Sequence, residues 1–116
     1  MAMLAGSNAM TESEFETLAG AALAALESAF ETSAPDADVQ SKGEGLIEIE
    51  FEDGSKMVIN RHTAAREIWV AAKEGGFHFR HDGTAWRDTR GGTELFATVS
   101  RLASQQAGAP VVLSAS

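Results

Sequence analysis

From Ile47 to Glu52 the chain alternates without a break: Ile47, Ile49 and Phe51 are apolar, and Glu48, Glu50 and Glu52 are charged. Only an extended strand with one buried and one wet face puts three aliphatic or aromatic side chains on one side and three carboxylates on the other. Asp53-Gly54 follows at once, a dipeptide that turns a hairpin. The returning strand is predicted over Lys56 to Arg61, with Met57 and Ile59 inward. Glu67 to Ala72 reads as a third long strand with Ile68 and Val70 inward. After a turn at Gly75-Gly76, Phe77 and Phe79 point inward from a fourth strand, with His78 and Arg80 outward. Asp82-Gly83 leads to a short strand around Trp86. Asp38 to Ser41 is a less regular candidate for a first, edge strand.

Helical periodicity brackets this block. Thr11 and Glu14 stand at capping-box spacing, so a helix is predicted to start there. Phe15, Leu18, Ala22, Leu26, Ala29 and Phe30 recur on one stripe, and Pro35 ends the helix near Ser33. A second helix is expected from about Thr93 to Gln106, carrying Leu95, Val99, Leu102 and Ala103, with Gly108 and Pro110 beyond it. Val111 to Leu113 reads as a short apolar tail. Strands grouped between two helices argue for an α+β fold rather than a parallel α/β sheet. Each helix has one apolar stripe and the sheet one apolar face. The expected architecture is therefore a two-layer α–β sandwich, both helices on one face of an antiparallel sheet.

A length of 116 residues suits one domain, placed at residues 10–116. Ser7-Asn8-Ala9 before Met10 resembles an expression scar, and residues 1–9 are set aside as such or as a disordered leader. The start has neither a basic region nor a long apolar run, so no secretory signal or membrane span is expected. Cysteine is absent, which excludes disulfides, thiolate metal sites and a cysteine nucleophile, and suits a reducing cytoplasm. The net charge of −8 disfavours nucleic acid as a partner.

That charge is concentrated at one end. Glu12, Glu14, Glu16, Glu27, Glu31, Asp36 and Asp38 precede the first cation, Lys42, whereas the rest of the chain has ten acids and nine bases. With Phe15 at zero on the helical wheel, Glu16, Glu27 and Glu31 fall at about 100°, 120° and 160°, one stripe beside the core stripe. Glu27 and Glu31, one turn apart, repel by roughly 0.2–0.5 kcal/mol, and no lysine stands where it would relieve them. Asp36 and Asp38 follow at strand spacing. Such a face is either a solvated surface that aids solubility or an oxygen-rich surface for hard cations and basic partners. With no fixed geometry it should bind metal weakly and with little selectivity.

The outward sheet face is the second candidate. With Ile68 and Val70 inward, Trp69 points out, together with Asn60, Ala71, His78 and Arg80. An indole on a wet sheet face is either an interface anchor or a residue covered by loops or the terminus. His62, His78 and His81 could ligate a metal or haem iron, but His78 and His81 lack shared-face spacing on one strand and no HExxH-type helix is present, so histidines without a role are the expectation. No nucleophile elbow, P-loop or Ser–His–Asp order is present, so an enzyme is not expected.

Several runs resemble one family. GSKMVINR (Gly54 to Arg61), IWVAAKEGGFHF (Ile68 to Phe79), SQQAG (Ser104 to Gly108) and the opening TESEFETLA closely resemble bacterial frataxin, the CyaY family, over about Met10 to Leu113. The resemblance implies an α–β sandwich and a role in iron handling for iron–sulfur cluster assembly. It implies weak binding of ferrous and ferric iron (Fe2+/Fe3+) through an acidic ridge, with contacts to the cysteine desulfurase and the iron–sulfur scaffold protein. Carried over by position, Glu27, Glu31, Asp36 and Asp38 match ridge acids, with Glu16 as a further metal candidate. Glu27 and Glu31 would also dock the desulfurase. Trp69 matches the partner-contacting tryptophan, and Asn60 and Arg61 the strand pair beside it. Ser28, Thr32, Ala34 and Gln40 stand where relatives often carry an acid, so fewer or weaker iron sites are expected. The Lys42 to Gly45 connection looks about one residue short. A cytoplasmic monomer is expected. Ferroxidase or iron-storage activity, and haem binding through a histidine, remain as alternatives.

Overall fold

The structure, a computed structural model, describes residues 10–115; the expectation for residues 1–9 lies outside them. Helix α1 spans Glu12–Ser33, and strands follow at β1 Asp38–Ser41, β2 Leu46–Glu50, β3 Lys56–His62, β4 Glu67–Ala71, β5 Gly76–His81 and β6 Trp86–Asp88. Helix α2, Leu95–Ala107, closes the order, and a single 3-10 turn, Thr63–Ala65, joins β3 to β4. The six strands form one sheet in sequence order, each antiparallel to its neighbours. Two helices on an antiparallel sheet make the expected α+β sandwich.

Local chemistry explains the boundaries. The Thr11 hydroxyl accepts from the Glu14 N–H at 3.0 Å, and Glu14 Oε1 accepts from the Thr11 N–H at 2.9 Å, so both halves of the capping box form. Helix α2 starts at Leu95, two residues after the expected Thr93, because Glu94 caps it: its carboxylate accepts from the N–H groups of Phe96 and Ala97. Gly108 ends α2 in the left-handed region, at φ 70°, with its N–H on the Ser104 carbonyl.

The core lies between the layers. Phe15, Leu26 and Phe30 of α1, Ile49, Met57, Ile59, Ile68, Val70 and Phe79 of the sheet, and Leu95, Val99 and Leu102 of α2 are fully buried. Phe15 meets Trp86 edge to face at 5.8 Å. Phe30 meets Phe51 in the same manner at 6.4 Å, and such pairs add to the energy of area burial alone. Two inward assignments differ in depth. Leu18 is half-buried, and Ala19 and Leu23 take core positions instead. Phe77 has the expected parity but sits at the rim of the core, its ring flanked by the guanidinium groups of Arg90 and Arg101, each 5.9 Å from the centroid. The β4–β5 turn is centred on Lys73-Glu74, two residues before the expected Gly75-Gly76, because Ala72 and Gly75 exchange both backbone hydrogen bonds.

Side-chain hydrogen bonds fix α2 to the sheet and the tail to α2. The buried Gln106 amide accepts from the Lys73 N–H and donates to the Ser55 hydroxyl and the Lys56 carbonyl, so the end of α2 is bolted to two hairpins. The tail folds back on α2: Val111 and Leu113 are buried, and their N–H groups donate to the hydroxyls of Ser104 and Ser100. Among the described residues no helix is long and apolar enough to cross a membrane.

Candidate cation and partner surfaces

The sequence places seven acids before the first cation, and among the described residues the chain's own cations reach Glu16 alone of the seven. Glu27 and Glu31 stand in the last two turns of α1, a helix end without a basic residue. Asp36 lies in the turn after α1, and Asp38 opens β1. No ion pair reaches any of these four among the described residues; Asp38 accepts only a side-chain amide hydrogen bond from Gln40, at 3.2 Å. Three are exposed, and Glu27 is half-buried at the wall of a cleft of about 190 Å³ that Gly20, Ala24 and Arg61 also line.

Register adds a residue to this edge. Asp38 pairs with Glu50 across the β1–β2 ladder, both are exposed, and opposed residues share a face. Two like charges thus face each other, and among the described residues neither has an ion pair. Glu50 was absent from the expected set. Alternation put it on the wet face, but only the β1–β2 register sets it beside Asp38.

Glu16 differs. Its Oε1 lies 3.2 Å from Arg61 Nη1, and its Oε2 accepts from the Thr63 hydroxyl at 2.6 Å. The helical wheel put it in one stripe with Glu27 and Glu31, but its charge is engaged by the sheet. Glu48 is likewise closed. Lys42 holds it at 3.1 Å, and Lys56 holds it at 3.2 Å. The hydrogen bonds from these two ammonium groups keep its pKa below the usual carboxylate value.

Arg61 is not beside Trp69. Met57, Ile59 and Arg61 share the inward parity of β3, whereas Val58, Asn60 and His62 face outward. Arg61 reaches under α1 and contributes nothing to the outer face. Asn60 does lie there, directly opposite Trp69 in the β3–β4 register. The residue that joins it is His62, diagonal to Trp69.

Trp69 is half-buried and held on all sides. The His62 ring stacks on one face, centroids 3.9 Å apart and planes 8° apart; the His78 ring stacks on the other at 4.5 Å and 12°. The indole N–H donates to Glu67 Oε1 at 2.8 Å, and Arg80 donates to Glu67 Oε2 at 2.5 Å. Glu67 is buried, at 6% exposure. Burial alone would push its pKa up, but the indole N–H and the guanidinium more than offset this, and the value lies below the ordinary range. Two of the three histidines expected to have no role therefore brace the tryptophan. Cross-strand stacking gave no signal in the linear pattern, because the partners come from three strands. With Trp69 between them, His62 and His78 share no open coordination space. His81 is turned elsewhere, accepting from the Gly83 N–H and meeting Trp86 edge on.

Among the described residues no three histidine, aspartate or glutamate side chains converge to hold a metal ion. The open acids offer charge and oxygen donors without a cage, an arrangement suited to loosely held hard cations. A groove of about 960 Å³ lies away from them, between the start of α1 and the β5–β6 turn, and holds none of the expected site residues.

Comparison with known proteins agrees with this architecture. The model of the frataxin-like domain matches residues 8–109. The iron–sulfur cluster assembly protein CyaY of Dechloromonas aromatica is 54% identical over 104 residues, covering 90% of this chain and 99% of that protein. Its counterpart in Cupriavidus metallidurans is 53% identical over 107 residues, covering 90% and 96%. Among solved structures, the frataxin of Psychromonas ingrahamii superposes with a TM-score of 0.82 at 31% identity, covering 90% of this chain and 99% of that one. A trimeric yeast frataxin crystallised in a ferrous complex shares the fold, with a TM-score of 0.62 at 22% identity over 86% of this chain and 88% of its own.

Proposed function

This chain belongs to the frataxin-like family, and from that membership we propose that it is a non-enzymatic, weakly iron-binding adaptor in iron–sulfur cluster assembly. The observation that carries the reading is a run of acids from the end of α1 into β1 that no internal cation relieves. Glu27, Glu31, Asp36 and Asp38, with Glu50 across the β1–β2 ladder from Asp38, have no ion pair among the described residues, whereas Glu16 and Glu48 nearby are held by Arg61, Lys42 and Lys56. Glu31 stands in the last turn of α1, where the dipole disfavours negative charge, so helix stability does not account for its place.

Two surfaces divide the work. The open acids attract ferrous or ferric iron as cargo, and they dock on a basic patch of the cysteine desulfurase. The docking is electrostatic and falls with salt, since the screening length is about 8 Å at physiological ionic strength. The outer sheet face, with Trp69 at its centre and Asn60 opposite, meets the scaffold protein. The indole N–H is committed to Glu67, so the scaffold contacts the ring edge and the flanking imidazoles rather than hydrogen-bonding the indole. The protein works in the cytoplasm, where its partners assemble clusters.

Binding of purified desulfurase at two salt concentrations tests this. The double variant Glu27→Lys, Glu31→Lys is expected to lose binding at low salt, and unchanged affinity defeats the docking role. Oxygen consumption with ferrous iron that disappears in a variant lacking the four carboxylates would make the protein an enzyme instead.

A further inference from the structure

We propose that Arg61 is an internal counter-cation that closes Glu16 and Glu44 to external cations and leaves the edge formed by Glu27, Glu31, Asp36, Asp38 and Glu50 to take them; this rests on the reading of that edge as a cation surface. Arg61 joins acids from two separate elements. Its Nη1 lies 3.2 Å from Glu16 of α1, and its Nη2 lies 3.6 Å from Glu44 in the β1–β2 connection. The Arg61 side chain is 21% exposed, whereas that of Glu44 is 94% exposed. The cation is therefore sheltered and one of its two acids is open to solvent.

The surroundings fix the guanidinium in place. Its stem crosses Gly45, where an added methyl would come within 2.6–2.9 Å of Nε, Cγ and Cδ. Gly45 has φ +82°, so glycine serves both the backbone and the passage of the arginine. The Arg61 N–H donates to the Gly45 carbonyl at 2.9 Å, and Thr63 holds the second oxygen of Glu16. A planar fork reaches two carboxylates from one stem, which a lysine ammonium does with less geometric control. Arg61 and Glu27 then wall the same small cleft, which marks the boundary between the closed and the open acids.

An external divalent ion that sought Glu16 and Glu44 would have to displace a guanidinium already held by both. Without Arg61, neither carboxylate would have an internal cation to balance it.

The test uses Mn²⁺ as a hard paramagnetic probe on the full chain at low salt, read by amide broadening and by titration. Broadening in the wild-type protein is expected at residues 27–38 and not at Glu16 or Glu44. Arg61→Gln should add broadening at Glu16 and Glu44 and tighten Mn²⁺ binding about fivefold or more, since a unit charge at contact distance in water is worth about fivefold to a monovalent ion and about the square of that to a divalent one. Adding Glu16→Gln to that variant should remove the new set. A map in Arg61→Gln identical to wild type overturns the inference. Glu16→Gln alone keeps Arg61 and does not depend on the folding of the arginine variant. It should leave wild-type affinity within about twofold, and a larger drop shows that Glu16 takes cations directly, which also overturns the inference. A wild-type protein without broadening at residues 27–38 sinks the reading of the open edge instead, and Glu16 and Glu44 in Arg61→Gln still decide the role of Arg61.

Discussion

Trp69 lies flat between His62 and His78, and its indole N–H is bonded to the buried carboxylate of Glu67. The ring is thus part of the sheet's own polar network as well as a surface feature. Trp69→Phe keeps a stacking ring but leaves one oxygen of Glu67 without its donor, at a cost of about 1–2 kcal/mol. Trp69→Ala also loses both stacked contacts, and we expect a total of roughly 2–4 kcal/mol. Urea midpoints of the two variants check this. A folded Trp69→Phe that has lost scaffold binding would separate recognition of the indole from stability.

Glu67 makes stability depend on pH in a defined direction. Its folded pKa is depressed below the ordinary glutamate value of 4.5, so its contribution is fully present above that value and is lost as pH falls through the lower folded value. Glu67→Gln should be less stable than wild type at neutral pH, because Arg80 then lacks its carboxylate. Between about pH 5 and the acid limit it should lose less stability than wild type. Denaturation midpoints across that window check the sign; parallel curves would show that Glu67 does not titrate differently on folding.

Glu31 sets function against stability. It lies in the last turn of α1, one turn from Glu27, where both the like charge and the helix dipole act against it. Glu31→Lys should stabilise the protein by about 0.5–1 kcal/mol at low salt, with the gain shrinking as salt is added. The same variant should weaken Mn²⁺ and desulfurase binding. A variant that gains stability and keeps full binding would show that Glu31 is not used.

What could be read from the chain was what depends on neighbours in sequence. The alternation from Ile47 to Glu52, the Thr11–Glu14 capping box and the Asp53-Gly54 turn each name a local conformation, and the sandwich follows because only one face of each element is apolar. Parity on β3 also carried Arg61 inward, since it shares the register of Met57 and Ile59. The family likeness set Arg61, with Asn60, beside Trp69, but neighbours along a strand point to opposite sides, and only Asn60 faces Trp69. Other features need partners far along the chain. Glu50 meets Asp38 only through the β1–β2 register, and the His62–Trp69–His78 stack draws one ring from each of three strands. Arg61 and Glu16 meet because α1 crosses β3, a distance no periodicity encodes.

The tail is a last case in which three apolar residues had no period to interpret. Val111 and Leu113 are each 5% exposed, whereas Val112 between them is 74% exposed, so the segment packs as a single extended strap. Its backbone is held by side chains of α2. Val111 N–H donates to Ser104 Oγ at 2.8 Å, the same hydroxyl lies 3.1 Å from the Val111 carbonyl, and Leu113 N–H donates to Ser100 Oγ at 2.9 Å. Burying two aliphatic side chains of this size is worth about 1.5–3 kcal/mol each, reduced somewhat because an unfolded chain already hides part of that surface. Truncation after Pro110 should therefore cost roughly 3–5 kcal/mol, a large share of the total for a domain whose net stability is about 5–15 kcal/mol. Val111→Ala with Leu113→Ala should lower the melting temperature by roughly 10 °C or more, at about 4–8 °C per kcal/mol for a chain near this size. Val112→Ala should leave it unchanged. Equal melting temperatures for the wild type and these two variants would show that packing of the tail on α2 adds nothing to stability.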